Sequence, residues 1–287
     1  MFRVIRNRTF QGETLMDWGM RNRLSRIIKP ATGKTVMLAV DHGYFQGPTT
    51  GLKNPGKTIK PLLPYADALM LTRGILRSQV DPGTDIPIIL RVSGGTSVLK
   101  DDLSDEEITV SIEEAVRLNA SAVALSVFVG AENERQTLVS LSRLVNEAQT
   151  YGIPVLAVTA VGKQMVRDAR YLGLASRISA ELGAHVVKTY YCDGFKQVSS
   201  SVPVPTVIAG GKKLPERDAL VMTKNAIASG AVGVDMGRNI FQSDSPVGMI
   251  KAVRAIVHQG AGVDAAYRIY EAEKKTKAAK KKVGKGR

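Results

Sequence analysis

Eight short, largely apolar runs punctuate the chain, at positions 36–40, 68–71, 88–92, 122–129, 155–158, 185–190, 206–209 and 232–236. They are continuous rather than alternating, the pattern of strands buried on both faces of a parallel sheet. Between them lie segments of helical periodicity with recognisable ends. Ser111, with Glu114 three residues on, predicts an N-cap and capping box. Residues 134–151 predict a long amphipathic helix closed by Gly152, and 168–182 a second followed by Gly183. A third, 215–229, has proline at its start and Gly230 after its end. Residues 246–258 supply the last helix of the series.

The strand ends fall 19 to 36 residues apart, so eight β-α units occupy about 200 residues. That spacing predicts an α/β fold, a (β/α)8 TIM barrel formed as one domain over residues 35–270. A doubly wound open sheet fits less well, because no GxGxxG follows the first run. Ahead of the barrel, residues 1–34 form a polar, Arg-rich extension. Trp18, Met20, Leu24, Ile27 and Ile28 give it one amphipathic helix, ending near Pro30. Behind it, residues 271–287 read as a Lys-rich tail without structure.

Composition changes this picture little. A chain of 287 residues with 44% hydrophobic content can bury a large core. The net charge of +14 is concentrated at the end: residues 274–287 hold eight Lys/Arg and no acid, leaving 32 basic against 26 acidic residues elsewhere. Nucleic acid is therefore not implied as a partner beyond non-specific contact of that tail. No apolar run approaches the roughly 18 residues of a membrane span. A single cysteine, Cys192, and the lack of a secretory apolar segment predict a cytoplasmic protein. The three histidines, His42, His185 and His258, make no spaced cluster, so no metal is expected.

In such a barrel the chemistry sits at the C-terminal ends of the strands. That rule selects Asp41-His42-Gly43, Arg73, Arg91, Lys163, Lys188, Gly210-Gly211-Lys212 and Gly237-Arg238-Asn239. Lys188 stands inside the sixth run, where an ammonium must be paired or titrated down. It is either an amine nucleophile for Schiff-base chemistry on ketones, a structural lysine paired with Asp41, or one turned outward. Asp41 either handles a substrate hydroxyl or proton, or caps the first loop. Gly210, Gly211, Gly237 and Arg238 end the seventh and eighth strands, where barrels often bind phosphate through backbone N–H groups and a guanidinium. Two tight turns are the plainer reading of the same residues.

These segments resemble the archaeal-type class I aldolase family of deoxyribose-phosphate and fructose-bisphosphate aldolases over about residues 14–270. The resemblance is carried by residues 38–48, Val187-Lys188-Thr189-Tyr190-Tyr191, Ala209-Gly210-Gly211-Lys212 and residues 237–242. It implies Lys188 as the Schiff-base lysine, Asp41 as the strand-one carboxylate, with His42 accessory, and phosphate at Gly210, Gly211, Gly237 and Arg238. Two departures stand out. The family's strand-five tyrosine is replaced in Thr159-Ala160-Val161-Gly162, leaving Thr159 as a weak accessory donor, and Gln46 replaces a usual histidine. Together with residues 16–20, 72–78 and 158–163, both departures agree with a thiolase branch of the family. That branch implies acetyl transfer from a phosphorylated pentanedione to coenzyme A as co-substrate, giving dihydroxyacetone phosphate and acetyl-CoA, with no bound cofactor. The family's tendency to form rings implies a homo-oligomer. A class I sugar-phosphate aldolase is the alternative reading, and a non-catalytic barrel with a nucleic-acid-binding tail a third.

Overall fold

The computed structural model describes residues 16–160 and 166–283, with side chains through residue 276. Lys163 and its neighbours Val161 and Gly162 lie outside the described residues. Eight parallel strands close into a barrel: β1 (Thr35–Ala39), β2 (Ala68–Thr72), β3 (Ile88–Arg91), β4 (Ala122–Val127), β5 (Val155–Thr159), β6 (Val186–Tyr190), β7 (Thr206–Ala209) and β8 (Gly233–Met236). Each pairs with the next, and β8 returns to β1 through Thr35–Gly233 and Leu38–Met236. All eight predicted runs are strands, with ends shifted by no more than two residues.

Strand side chains alternate between two dry environments. On the inner face Met37, Met70, Ile89, Leu156, Val186 and Val207 fill the barrel. On the outer face Leu38, Leu69, Leu90, Leu125, Val187 and Val234 pack beneath the helices. Double-sided burial is why the strands read as continuous apolar runs. The first helix, α1 (Trp18–Ile27), closes the barrel floor. Asp17 caps it, its carboxylate accepting the Met20 N–H at 2.7 Å, and Ile27 enters the inner cluster while Trp18 stays 72% exposed.

The outer layer comprises α2 (Arg73–Gln79), α3 (Ile112–Arg117), α4 (Glu134–Thr150), α5 (Ala169–Glu181), α6 (Phe195–Ser201), α7 (Glu216–Ala228), α8 (Pro246–Gln259) and α9 (Val263–Val283). Ser111 caps α3 as predicted, accepting the Glu114 N–H at 3.3 Å. The Glu114 carboxylate turns instead to Arg73 and Arg77, at 3.1 and 2.6 Å, in place of the return bond of a capping box. The tail also departs from expectation. Rather than losing order after residue 270, α9 continues as helix to Val283. Tyr270 is buried in the core, and Glu273 and Lys274 pair with Lys251 and Asp244. A docked first half removes the nucleation cost, and an Ala/Lys-rich sequence then propagates the helix readily.

One buried carboxylate joins the barrel floor to its shell. Asp67, just ahead of β2, accepts the Val36 N–H at 2.8 Å, Arg254 at 2.8 Å and His258 Nε2 at 2.7 Å. Burial alone would raise its carboxyl, but the bonds from His258, Arg254 and Val36 outweigh it and hold the pKa below the usual range. Its stabilisation is therefore present above the unfolded carboxylate pKa and is lost as pH falls through the depressed folded value. The Asp67→Asn variant should unfold at a lower temperature, losing about 2–4 kcal/mol at neutral pH. The deficit against the parent should shrink in acid, which thermal denaturation at neutral and acidic pH will measure.

Candidate active site

Alternation through β6 turns Val187 and Thr189 outward and Val186 and Lys188 inward. Lys188 is thus planted in the upper wall of the barrel, only 7% exposed. The same parity in β8 points Asp235 inward. Their charged ends meet, Nζ to Oδ2, at 2.8 Å. Lys188 also lies 3.7 Å from the Met70 sulfur on β2, so its stem crosses the interior. Burial opposes its charge, but Asp235 and then Asp41 more than offset that, and the ammonium is held above its ordinary pKa. In this state Lys188 is a paired cation. The sequence suggested Asp41 as the pairing group; Asp235 takes that place, and Asp41 acts across space.

Asp41 follows β1 and is almost fully buried. Burial by itself would favour its neutral form. The adjacent His42 and the charges of Lys188 and Arg91 prevail, holding it well below the usual carboxylate range. Arg91, at the inward-facing end of β3, lies 3.6 Å from Asp41 and 2.9 Å from Glu106. It is fixed further by Ser126 and the Tyr44 hydroxyl, and its Nε donates to the Ser93 carbonyl at 3.2 Å. Glu106 in turn accepts the Ser93 hydroxyl at 2.7 Å and Tyr44 at 2.5 Å. Glu106 comes from the loop after β3, beside a two-residue antiparallel ribbon joining Ser93–Gly94 to Glu107–Ile108. Such a network is stable only while each charge keeps its partners.

The loops after β7 and β8 adjoin and are bolted together. The Asn239 amide donates to the Gly210 carbonyl at 2.6 Å, and its oxygen accepts the Leu214 N–H at 2.7 Å. Gly211 adopts φ +67°, the left-handed conformation that glycine supplies without strain. At Gly237 a side chain would lie 2.3 Å from the Ala39 carbonyl oxygen and 2.9 Å from the His42 ring. Close approach of β8 to β1 thus requires glycine there. Arg238 begins the next helical turn and has no ion-pair partner among the described residues.

His42 stacks on Phe241, ring centroids 5.6 Å apart, with Nδ1 3.9 Å from Asp41. Its Nε2 is buried without a hydrogen-bond partner among the described residues. Thr159 does not join this group. It stands one residue beyond the inward Val158, on the outer face, and its hydroxyl donates to Thr189 at 2.8 Å. Strand parity therefore turns it away from the barrel mouth, where an accessory role was expected. Tyr190 stands two residues beyond Lys188, its ring covered by the Arg167 guanidinium at 3.9 Å. A cavity of about 340 Å³ opens beside Asp41, walled by Pro48, Leu52 and Ile75 with Lys53 among its lining residues. A second, about 230 Å³, reaches Arg91 and Ser93.

Among the described residues no three His, Cys, Asp or Glu side chains are placed to hold a metal, and no helix is long and apolar enough to cross a membrane. The Arg91→Met substitution should cost about 3–5 kcal/mol by stranding Glu106 and Asp41. Combining it with Glu106→Gln should cost less than the sum of the single changes, a coupling that denaturant titration of all four proteins will measure.

Known proteins share this architecture. The model of the DeoC/LacD family aldolases matches residues 35–243. A Yersinia pseudotuberculosis protein named 3-hydroxy-5-phosphonooxypentane-2,4-dione thiolase is 57% identical over 263 residues, covering 91% of this chain and 90% of its own. A Photorhabdus laumondii protein of the same name is 57% identical over 260 residues, covering 90% and 89%. An uncharacterized aldolase of Pasteurella multocida is 56% identical over 265 residues, covering 92% and 91%. The crystal structure of an archaeal fructose 1,6-bisphosphate aldolase superposes with a TM-score of 0.75 at 26% identity, covering 84% of this chain and all of that one. Another archaeal fructose-1,6-bisphosphate aldolase, its catalytic lysine bound to the carbinolamine intermediate, gives 0.74 at 27%, covering 83% and 99%. The chain belongs to the DeoC/LacD aldolase family and is an enzyme of that family's TIM-barrel type.

Proposed function

We propose that this enzyme transfers an acetyl group from 3-hydroxy-5-phosphonooxypentane-2,4-dione to coenzyme A, through a Schiff base on Lys188. The observation that carries the reading is a lysine buried in the barrel wall within 2.8 Å of a carboxylate. The thiolase names of the 57%-identical relatives support the choice of substrate.

The substrate phosphate binds the loops after β7 and β8, through backbone N–H groups of Gly210, Gly211 and Gly237 and the Arg238 guanidinium. This anchors the ketone nearer the phosphate over Lys188, the positioning part of the catalysis. Condensation with Nζ releases water and leaves an iminium. The thiolate of coenzyme A then adds to the remote acetyl carbonyl. As that adduct collapses, the bond between the acetyl carbon and the hydroxyl-bearing carbon breaks. Its electron pair moves into the iminium, giving an enamine and acetyl-CoA. Protonation at carbon and hydrolysis release dihydroxyacetone phosphate and restore Lys188.

Asp41, held ionised by its neighbours, accepts a hydrogen bond from the substrate hydroxyl and opposes the iminium charge; it is not the acid. The cavity beside Asp41 gives a thiol-bearing arm room to enter, with Lys53 among the residues that line it. Thr159 has no part in this mechanism, because its hydroxyl lies outside the barrel. The protein works in the cytoplasm as a homo-oligomer, with the exposed Trp18 on α1 a contact between copies.

Incubation with the phosphorylated dione should yield acetyl-CoA only when coenzyme A is present. Release of an aldehyde in the absence of thiol would instead assign ordinary aldol cleavage. The Lys188→Ala variant should lose more than about 1,000-fold in turnover while its circular dichroism is retained. The Arg238→Ala variant should raise KM for the phosphorylated dione by about 10- to 100-fold. The same variant should leave an unphosphorylated dione unaffected, which initial-rate kinetics on both substrates will show.

A further inference from the structure

With no strand-five tyrosine and Thr159 turned outward, the Schiff-base step needs another group to move protons at Lys188. Asp235 meets that need by position. It is 1% exposed, and its one ion pair among the described residues is with Lys188 Nζ at 2.8 Å. Beyond that ion pair neither carboxylate oxygen has a hydrogen-bond partner among the described residues. Glu106, by contrast, is fully engaged with Arg91, Ser93 and Tyr44. Asp235 therefore keeps lone pairs facing the one amine that must lose protons. The titratable groups around the pair are Asp41 and His42 from the β1 side and Tyr190 on β6.

We propose that Asp235 is a further catalytic residue, the internal proton acceptor and donor of the Lys188 amine. It takes one proton from the Nζ ammonium, freeing the lone pair for attack. As the Nζ–carbon bond forms and the carbonyl π bond breaks, that proton passes to the carbonyl oxygen. Asp235 accepts the second Nζ proton and returns it to the hydroxyl, which leaves as water. The products are an iminium and an ionised Asp235, so atoms and charge balance without another reagent. Burial pushes the Asp235 carboxyl upward against the pull of Lys188, which makes it a stronger proton acceptor than an exposed carboxylate.

This assignment rests on Lys188 being the Schiff-base lysine, and its test is independent of coenzyme A. The rate at which dihydroxyacetone phosphate and cyanoborohydride fix an adduct on Lys188 is followed by intact mass. Asp235→Asn should slow adduct formation about 100-fold while leaving the circular dichroism unchanged. Asp235→Ala should be equally slow and regain rate with added formate, which a purely structural role would not allow. In the parent enzyme the trapping rate should stay nearly level between about pH 6 and 8, because the proton is passed internally. A rate in Asp235→Asn within about threefold of the parent would overturn the proposal. So would a parent rate that climbs about tenfold per pH unit, the mark of deprotonation by solvent, and this measurement needs no variant to fold. Failure of the parent to form any adduct would instead remove the Schiff-base reading itself.

Discussion

An ammonium inside a closed, apolar barrel survives only beside a matched negative charge, and the upper barrel is arranged around that requirement. Lys188 is neutralised by Asp235 on β8, and Asp41 beyond β1 adds a second negative charge. Asp41 is itself secured by Arg91, which Glu106, Tyr44, Ser93 and Ser126 hold in place. The chain of charges crosses the barrel mouth from β8 to β4. Removing Lys188, Asp235 or Arg91 takes the ion-pair partner from a buried charge, so the site is fixed before substrate arrives. In the proposed mechanism such preorganisation lets fixed charges act on a developing iminium without reorganising during the reaction.

The same arrangement separates the duties of the carboxylates. Asp41 is pinned as an anion, which suits it to the proposed role of fixed charge and acceptor. Asp235 faces Nζ with no further hydrogen bond among the described residues, which suits it to the proton exchange proposed above. Glu106 is spent on structure. Three buried acids at one end of the barrel thus differ in their surroundings because their partners differ, as expected where environment sets proton affinity.

Much of the barrel was legible in the sequence, since strands buried on both faces announce themselves as apolar runs at regular spacing. Lys188 was legible for the same reason: a charge in such a run has few explanations. Which partner it chose was harder to see. Asp235 falls among apolar residues near the end of β8, and period-two alternation from the outward Val234 and Met236 would have placed it inside. The same parity would have turned Thr159 away, since Val158 already occupies the inner position. The Arg91 network was hidden because Glu106 arrives from a loop whose path no strand pattern fixes. Helix beyond residue 270 was missed because charge density argued for solvation, whereas Tyr270 and Glu273 dock the segment first.

The central claim is that Lys188 forms a covalent bond to a phosphorylated ketone. Reduction with borohydride in the presence of dihydroxyacetone phosphate, followed by intact-mass measurement and peptide mapping, tests it directly. A single adduct on the peptide carrying Lys188 is the predicted result. A folded sample with no adduct, or with the label on another lysine, would contradict it.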